Sequence, residues 1–78
     1  MAVGSKQTGN AYENLANAII VQAAEDYRRL LKRAKKNPAN REALDEALQV
    51  ERFFRSGWYQ RLTNVDGEFL ICKLQEDI

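Results

Sequence analysis

The chain has no histidine, one cysteine, one proline, one methionine and no long apolar run among its 78 residues. With Cys72 alone and no histidine, neither an internal disulfide nor a tetrahedral zinc set can be assembled. No metal and no cofactor are therefore expected. A single thiol fits a reducing compartment, and no stretch has the length of a signal peptide or a membrane span. At this size a single hydrophobic core is only marginally sufficient. With disulfide and metal excluded as supplements, self-association remains, and a homo-oligomer is the expectation.

What is present is charge, unevenly placed. The net charge of +1 hides a split. Residues 1–40 hold seven basic and three acidic side chains, and residues 41–78 hold five basic and eight acidic ones. The halves are thus +4 and −3.

Residues 1–10, MAVGSKQTGN, show no periodicity and read as a flexible leader, leaving 11–78 as one helical domain. At about 100° per residue, Tyr12, Leu15, Ala16, Ile19, Ile20, Ala23, Tyr27, Leu30, Leu31 and Ala34 share one stripe, predicting an amphipathic helix that ends near Lys36. Pro38 stops it and disfavours helical geometry at Asn37. Asn40 is a natural N-cap for a second helix over about 41–55, with Glu42 in its first turn. The stripe there is Ala43, Leu44, Ala47, Leu48, Val50 and Phe54, and the short connection implies an antiparallel helical hairpin. Ser56 is placed to cap a short helix through Leu62. Thr63 and Asp66 match a capping box for a last helix. The expected fold is all-α, a hairpin covered by one or two short C-terminal helices. The alternative is α+β, with WYQRLT and EFLICKL as a β-hairpin.

The densest charge cluster is RRLLKRAKK. Its Arg28, Lys32, Arg33 and Lys36, joined by Arg61 and Arg55, could bind nucleic acid or an anionic nucleotide ligand. Against this, the cations spread over a broad arc, favour a helix C-terminus on dipole grounds alone, and face Glu42, Asp45 and Glu46 across the turn. A solvated, internally balanced face is the competing reading.

Glu51 falls inside the second stripe, where an ionised carboxylate needs a partner. Arg55 stands at i+4 in the favourable order, and Asp26 lies at the edge of the first stripe. These three are expected to form a partly buried cluster, either fixing helix register or building a pocket around Arg55. No nucleophile or metal set accompanies the carboxylates, so no catalytic residue and no enzyme are expected. Phe54 belongs to the core stripe, whereas Phe53 points about 100° away. Phe53, Trp58 and Tyr59 are thus either folded back or presented as anchors for a partner. Aligning Gly67 with the glycine of a calcium-binding EF-hand loop puts Leu62 and Lys73 at ligand positions, which excludes that loop.

DYRRLLKRAKKNPANREAL followed by ERFFRSGWYQRLTNVDGEFLICKLQED resembles small uncharacterised proteins of phages and integrative elements of Firmicutes. The likeness covers roughly residues 25–76: a basic helix, an Asn-Pro turn, the E-R-F-F-R-S segment, an aromatic pair and L-T-x-x-D-G before a final amphipathic segment. It carries over no functional residue. It implies a non-catalytic binding or regulatory protein of a mobile element, acting by protein–protein interaction in the host cytoplasm, with a host defence factor as one class of target. The candidate binding residues on this reading are Phe53, Trp58, Tyr59, Arg55, Glu51 and Asp26.

Overall fold

The computed structural model describes the backbone of residues 3–78 and side chains from Ala11 onward. Four helices follow in order: α1 (Val3–Lys36), α2 (Arg41–Phe54), α3 (Gly57–Leu62) and α4 (Gly67–Glu76). The fold is all-α, with no strand among the described residues. The β-hairpin alternative is thereby removed, because WYQRLT and EFLICKL form α3 and α4. Helix α1 begins at Val3, within the segment read as a leader, whose side chains lie outside the described residues.

Each junction has a local chemical cause. At the first turn Asn37 closes α1 onto the Arg33 carbonyl at 2.9 Å, and its own side chain accepts from the Ala39 amide at 3.2 Å. Asn40 then caps α2 by accepting from the Ala43 amide at 3.1 Å, satisfying an amide that the first turn of a helix leaves without a partner. Ser56 does the same for α3, accepting from the Tyr59 amide at 3.1 Å while donating to the Phe53 carbonyl at 2.6 Å.

The capping box at the last helix does not form. Thr63 is extended, with φ −158° and ψ 160°, and its hydroxyl accepts from the Val65 amide. Asp66 itself caps α4, accepting from the Phe69 amide at 3.3 Å. The reason lies in the tertiary contact at the next residue. A Cβ on Gly67 would stand 2.1 Å from the Phe54 carbonyl oxygen, so α4 starts where its backbone touches the end of α2.

Helices α1 and α2 form the hairpin, and α3 and α4 each contact both. Gln75 Nε2 donates to the Tyr27 hydroxyl at 3.0 Å and Lys35 Nζ to the Ile78 carbonyl at 3.4 Å, so α4 runs beside α1 in the same direction. Tyr27, Leu30, Ala43, Ala47, Phe54, Tyr59, Ile71 and Leu74 make the buried core. Small Ala43 and Ala47 let α1 and α2 approach closely. The second stripe is narrower than expected: Leu44 and Leu48 are exposed.

The partners differ in length. At 1.5 Å per residue α1 extends about 51 Å and α2 about 21 Å, and the chain measures 54 × 21 × 19 Å. Ile20 is the most N-terminal α1 side chain packed on the core cluster. Tyr12 and Leu15, on the same predicted stripe, are 60% and 61% exposed. Helix α1 therefore overhangs the bundle.

Candidate functional site

The end of α2 gathers two groups of side chains, one polar and one aromatic. Arg55 lies at the centre of the polar group. It donates through Nη1 to Glu51 Oε1 at 3.2 Å and through Nε and Nη2 to both carboxylate oxygens of Glu68. On the inner side, the Tyr27 hydroxyl donates to Glu51 Oε2 at 2.5 Å and accepts from Gln75 Nε2 at 3.0 Å. Five side chains from three helices thus meet: Tyr27 from α1, Glu51 and the cap residue Arg55 from α2, Glu68 and Gln75 from α4.

The ionisation of these groups follows the geometry. Burial, reinforced by the bond to Glu51, pushes the Tyr27 phenol up to about 12. The hydrogen bonds from Arg55 hold the Glu68 carboxyl below its ordinary value, and Glu68 in turn raises the Arg55 guanidinium. Every strong donor in the group is already engaged by an acceptor within it. The arrangement fixes the register of α1, α2 and α4. It presents no unengaged acid–base pair.

This corrects the expected cluster in one member. Asp26 does not meet Arg55; it pairs with Arg29 at 2.7 Å and accepts from Gln22 at 3.1 Å, both on its own helix. The physical reason is reach: i,i+3 and i,i+4 neighbours on α1 engage the carboxylate before it can cross to α2. Its place is taken by Glu68, with Tyr27 and Gln75 behind. In the sequence Tyr27 reads only as an apolar stripe residue. Glu68 stands 13 residues beyond Arg55 in the chain, with no local pattern connecting them.

The aromatic group centres on Phe53, with ring centroids 5.6 Å from Phe54, 5.4 Å from Trp58 and 5.8 Å from Tyr59. Tilted or edge-on packing at such separations is favourable. Tyr59 is 1% exposed and belongs to the core, which removes it as a contact for any partner. Its hydroxyl has no hydrogen-bond partner among the described residues, and burial raises its pKa. Phe53 is half-buried and Trp58 is 57% exposed. Of the three rings, Trp58 is the one left facing outward.

Two shallow hollows flank these groups. One, of about 450 Å³, lies between α1 and α2, lined by Ala23, Leu30, Val50 and Phe53 together with the polar Asp26, Arg29, Arg33, Glu46 and Gln49. The other, of about 490 Å³, lies where Arg55, Asp66, Gly67 and Glu68 meet the loop after α3. No group of three or more His, Cys, Asp or Glu side chains among the described residues could hold a metal. No described helix is long and apolar enough to cross a membrane.

The basic side chains Arg28, Lys32, Arg33, Lys36 and Arg61 are all exposed. None is in an ion pair among the described residues. The expected neutralisation by Glu42, Asp45 and Glu46 across the turn therefore does not take the form of direct pairs. Arg33 and Glu46 border the same hollow without pairing, and exposed charges held apart in water attract only weakly because solvent and salt screen them.

No known protein family matches this chain, and no curated protein and no solved structure matches it either.

Proposed function

We propose that this chain is a non-catalytic binding protein of a phage or related mobile element, acting by protein–protein interaction in the cytoplasm of its bacterial host. A host factor such as a defence component is the target class that this reading favours. The observation supporting it is Trp58, 57% exposed and seated edge-on against Phe53. An exposed tryptophan packed edge-on against a half-buried phenylalanine has the composition of an interface anchor. The polar group around Arg55 supports the absence of chemistry, since its donors and acceptors satisfy one another.

A photoreactive phenylalanine substituted for Trp58 in host cells tests this reading, with the same group at Glu25 as the control. A discrete protein adduct from position 58 and none from position 25 is the expected result. Equal adducts from both positions, or none from either, would overturn it.

A second reading rests on the exposed Arg28, Lys32 and Lys36 with Arg61, which form no ion pair among the described residues: binding of nucleic acid or an anionic nucleotide ligand. It requires anisotropy of a labelled oligonucleotide to show binding that weakens by orders of magnitude between about 50 and 200 mM salt. Arg28→Glu with Lys32→Glu would abolish that binding. On the protein-binding reading no such complex forms.

A further inference from the structure

The overhang of α1 presents a face, with Tyr12 and Leu15 exposed and Ile19 half-buried, that has no partner among the described residues. At about 100° per residue, Tyr12, Leu15 and Ile19 fall within a 60° arc. Between Ala11 and Ala24 the one charged side chain is Glu13, about 100° round the helix from Tyr12. Nothing on this face is arranged for water. The same side of α1, two to four turns further on, carries Ala23 and Leu30 and forms one wall of the hollow between α1 and α2. An apolar ridge and a groove with an apolar floor and charged borders thus lie on one side of one helix, end to end.

We infer that two copies of this chain pair with their α1 helices antiparallel, each overhang seated in the groove of the other. Tyr12, Leu15 and Ile19 of one copy lie over Ala23, Leu30, Val50 and Phe53 of the second. Because ridge and groove are consecutive on the same helix, a twofold axis near residue 21 places both ridges in both grooves at once. The contact is isologous and closes at two subunits. This deepens the protein-binding reading above by naming the occupant of one surface as the chain itself.

The surface this chain leaves exposed is of the size that a second copy would cover. A compact monomer of 9.0 kDa exposes ~4,900 Å², whereas this chain exposes 5889 Å². The excess of roughly 1,000 Å² matches the ~800 Å² that each partner contributes to a standard interface. The radius of gyration agrees: 15.2 Å against about 11.5 Å for a compact chain of this length. Two such rods laid side by side regain the compactness that one lacks.

Sedimentation equilibrium over a concentration series, with circular dichroism on each sample, tests the arrangement. The wild type is expected at twice the 9.0 kDa chain mass. Leu15→Lys and, separately, Tyr12→Lys should keep their helicity, since both side chains are exposed in the single chain, and should sediment as monomers. Val21→Lys, also exposed but on the far side of α1, should remain dimeric. In a Cys72→Ser background, a mixture of Leu15→Cys and Gln49→Cys chains should yield a disulfide-linked dimer on mild oxidation. Leu15→Cys mixed with Arg41→Cys should not. A monomeric wild type, a dimer indifferent to both lysine substitutions, or assembly beyond two subunits would each overturn the arrangement. Failure here leaves the Trp58 reading standing, because cross-linking from position 58 decides that separately.

Discussion

The two glycines that begin α3 and α4 should respond to alanine in opposite directions. Both have negative φ, so neither is held by backbone conformation, and the difference is purely one of space. At Gly67 an added Cβ would lie 2.1 Å from the Phe54 carbonyl oxygen and 3.0 Å from its carbon. Those are backbone atoms at the end of a helix and cannot swing aside. The start of α4 must retreat by roughly 1 Å before ordinary packing is restored, and it carries Glu68, Leu70, Ile71 and Leu74 with it. Overpacking of this kind costs about 1–3 kcal/mol, against a gain of at most about 1 kcal/mol from alanine's helix propensity. For a domain of this size the net loss lowers Tm by roughly 5–15 °C. At Gly57 nothing lies within 4 Å of the added atom. Gly57→Ala should therefore be neutral or stabilising by up to about 1 kcal/mol, through the lower entropy of the unfolded chain. Thermal melts followed by circular dichroism at equal protein concentration give the comparison directly, concentration being fixed because association raises Tm. If Gly67→Ala melts with the wild type, or Gly57→Ala falls as far, the close approach of α4 to α2 is not what positions α4.

Two further perturbations probe the polar network and the last cap. The Tyr27 phenol is raised from 10.0 to about 12 in the fold, so its contribution is complete below pH 10 and is lost as pH rises from 10 towards 12. Denaturant titrations should show wild-type stability falling over that window by about 2 kcal/mol more than Tyr27→Phe, and parallel curves would show that burial of the phenol and its bond to Glu51 carry no such linkage. Asp66→Ala should cost about 1 kcal/mol by removing the α4 cap, while Thr63→Ala, whose hydroxyl serves only an exposed turn, should cost distinctly less; the reverse order in urea midpoints would restore the capping box.

Much of the secondary structure was legible from local pattern. Stripes of apolar residues at helical spacing mark α1 and α2, Pro38 separates them, and Asn40 and Ser56 announce helix starts because a side-chain oxygen can reach an amide two or three residues on. Those are interactions within one turn of chain, and the residue types suffice to specify them. The Glu51–Arg55 pair was legible for the same reason, as an i,i+4 neighbour relation. Where local rules competed, the outcome was not legible. Thr63 and Asp66 are both good caps, and the choice fell to Asp66 because Gly67 meets the Phe54 carbonyl.

The amino-acid sequence by itself determined that this chain is helical, that its helices fold back at Asn37–Asn40, and that Glu51 must be neutralised where it stands. The tertiary structure decided the rest: that Glu68 and Tyr27 rather than Asp26 complete the network, that Tyr59 is core while Trp58 faces outward, and that Tyr12 and Leu15, at the start of α1's apolar stripe, are left uncovered. The division has one physical cause. Helix periodicity and caps are short-range and independent of the rest of the molecule, whereas a side chain's partner across two helices depends on their relative length, approach and rotation. In this chain those are set by two alanines on α2, one close glycine on α4, and the difference between a 34-residue helix and its 14-residue companion.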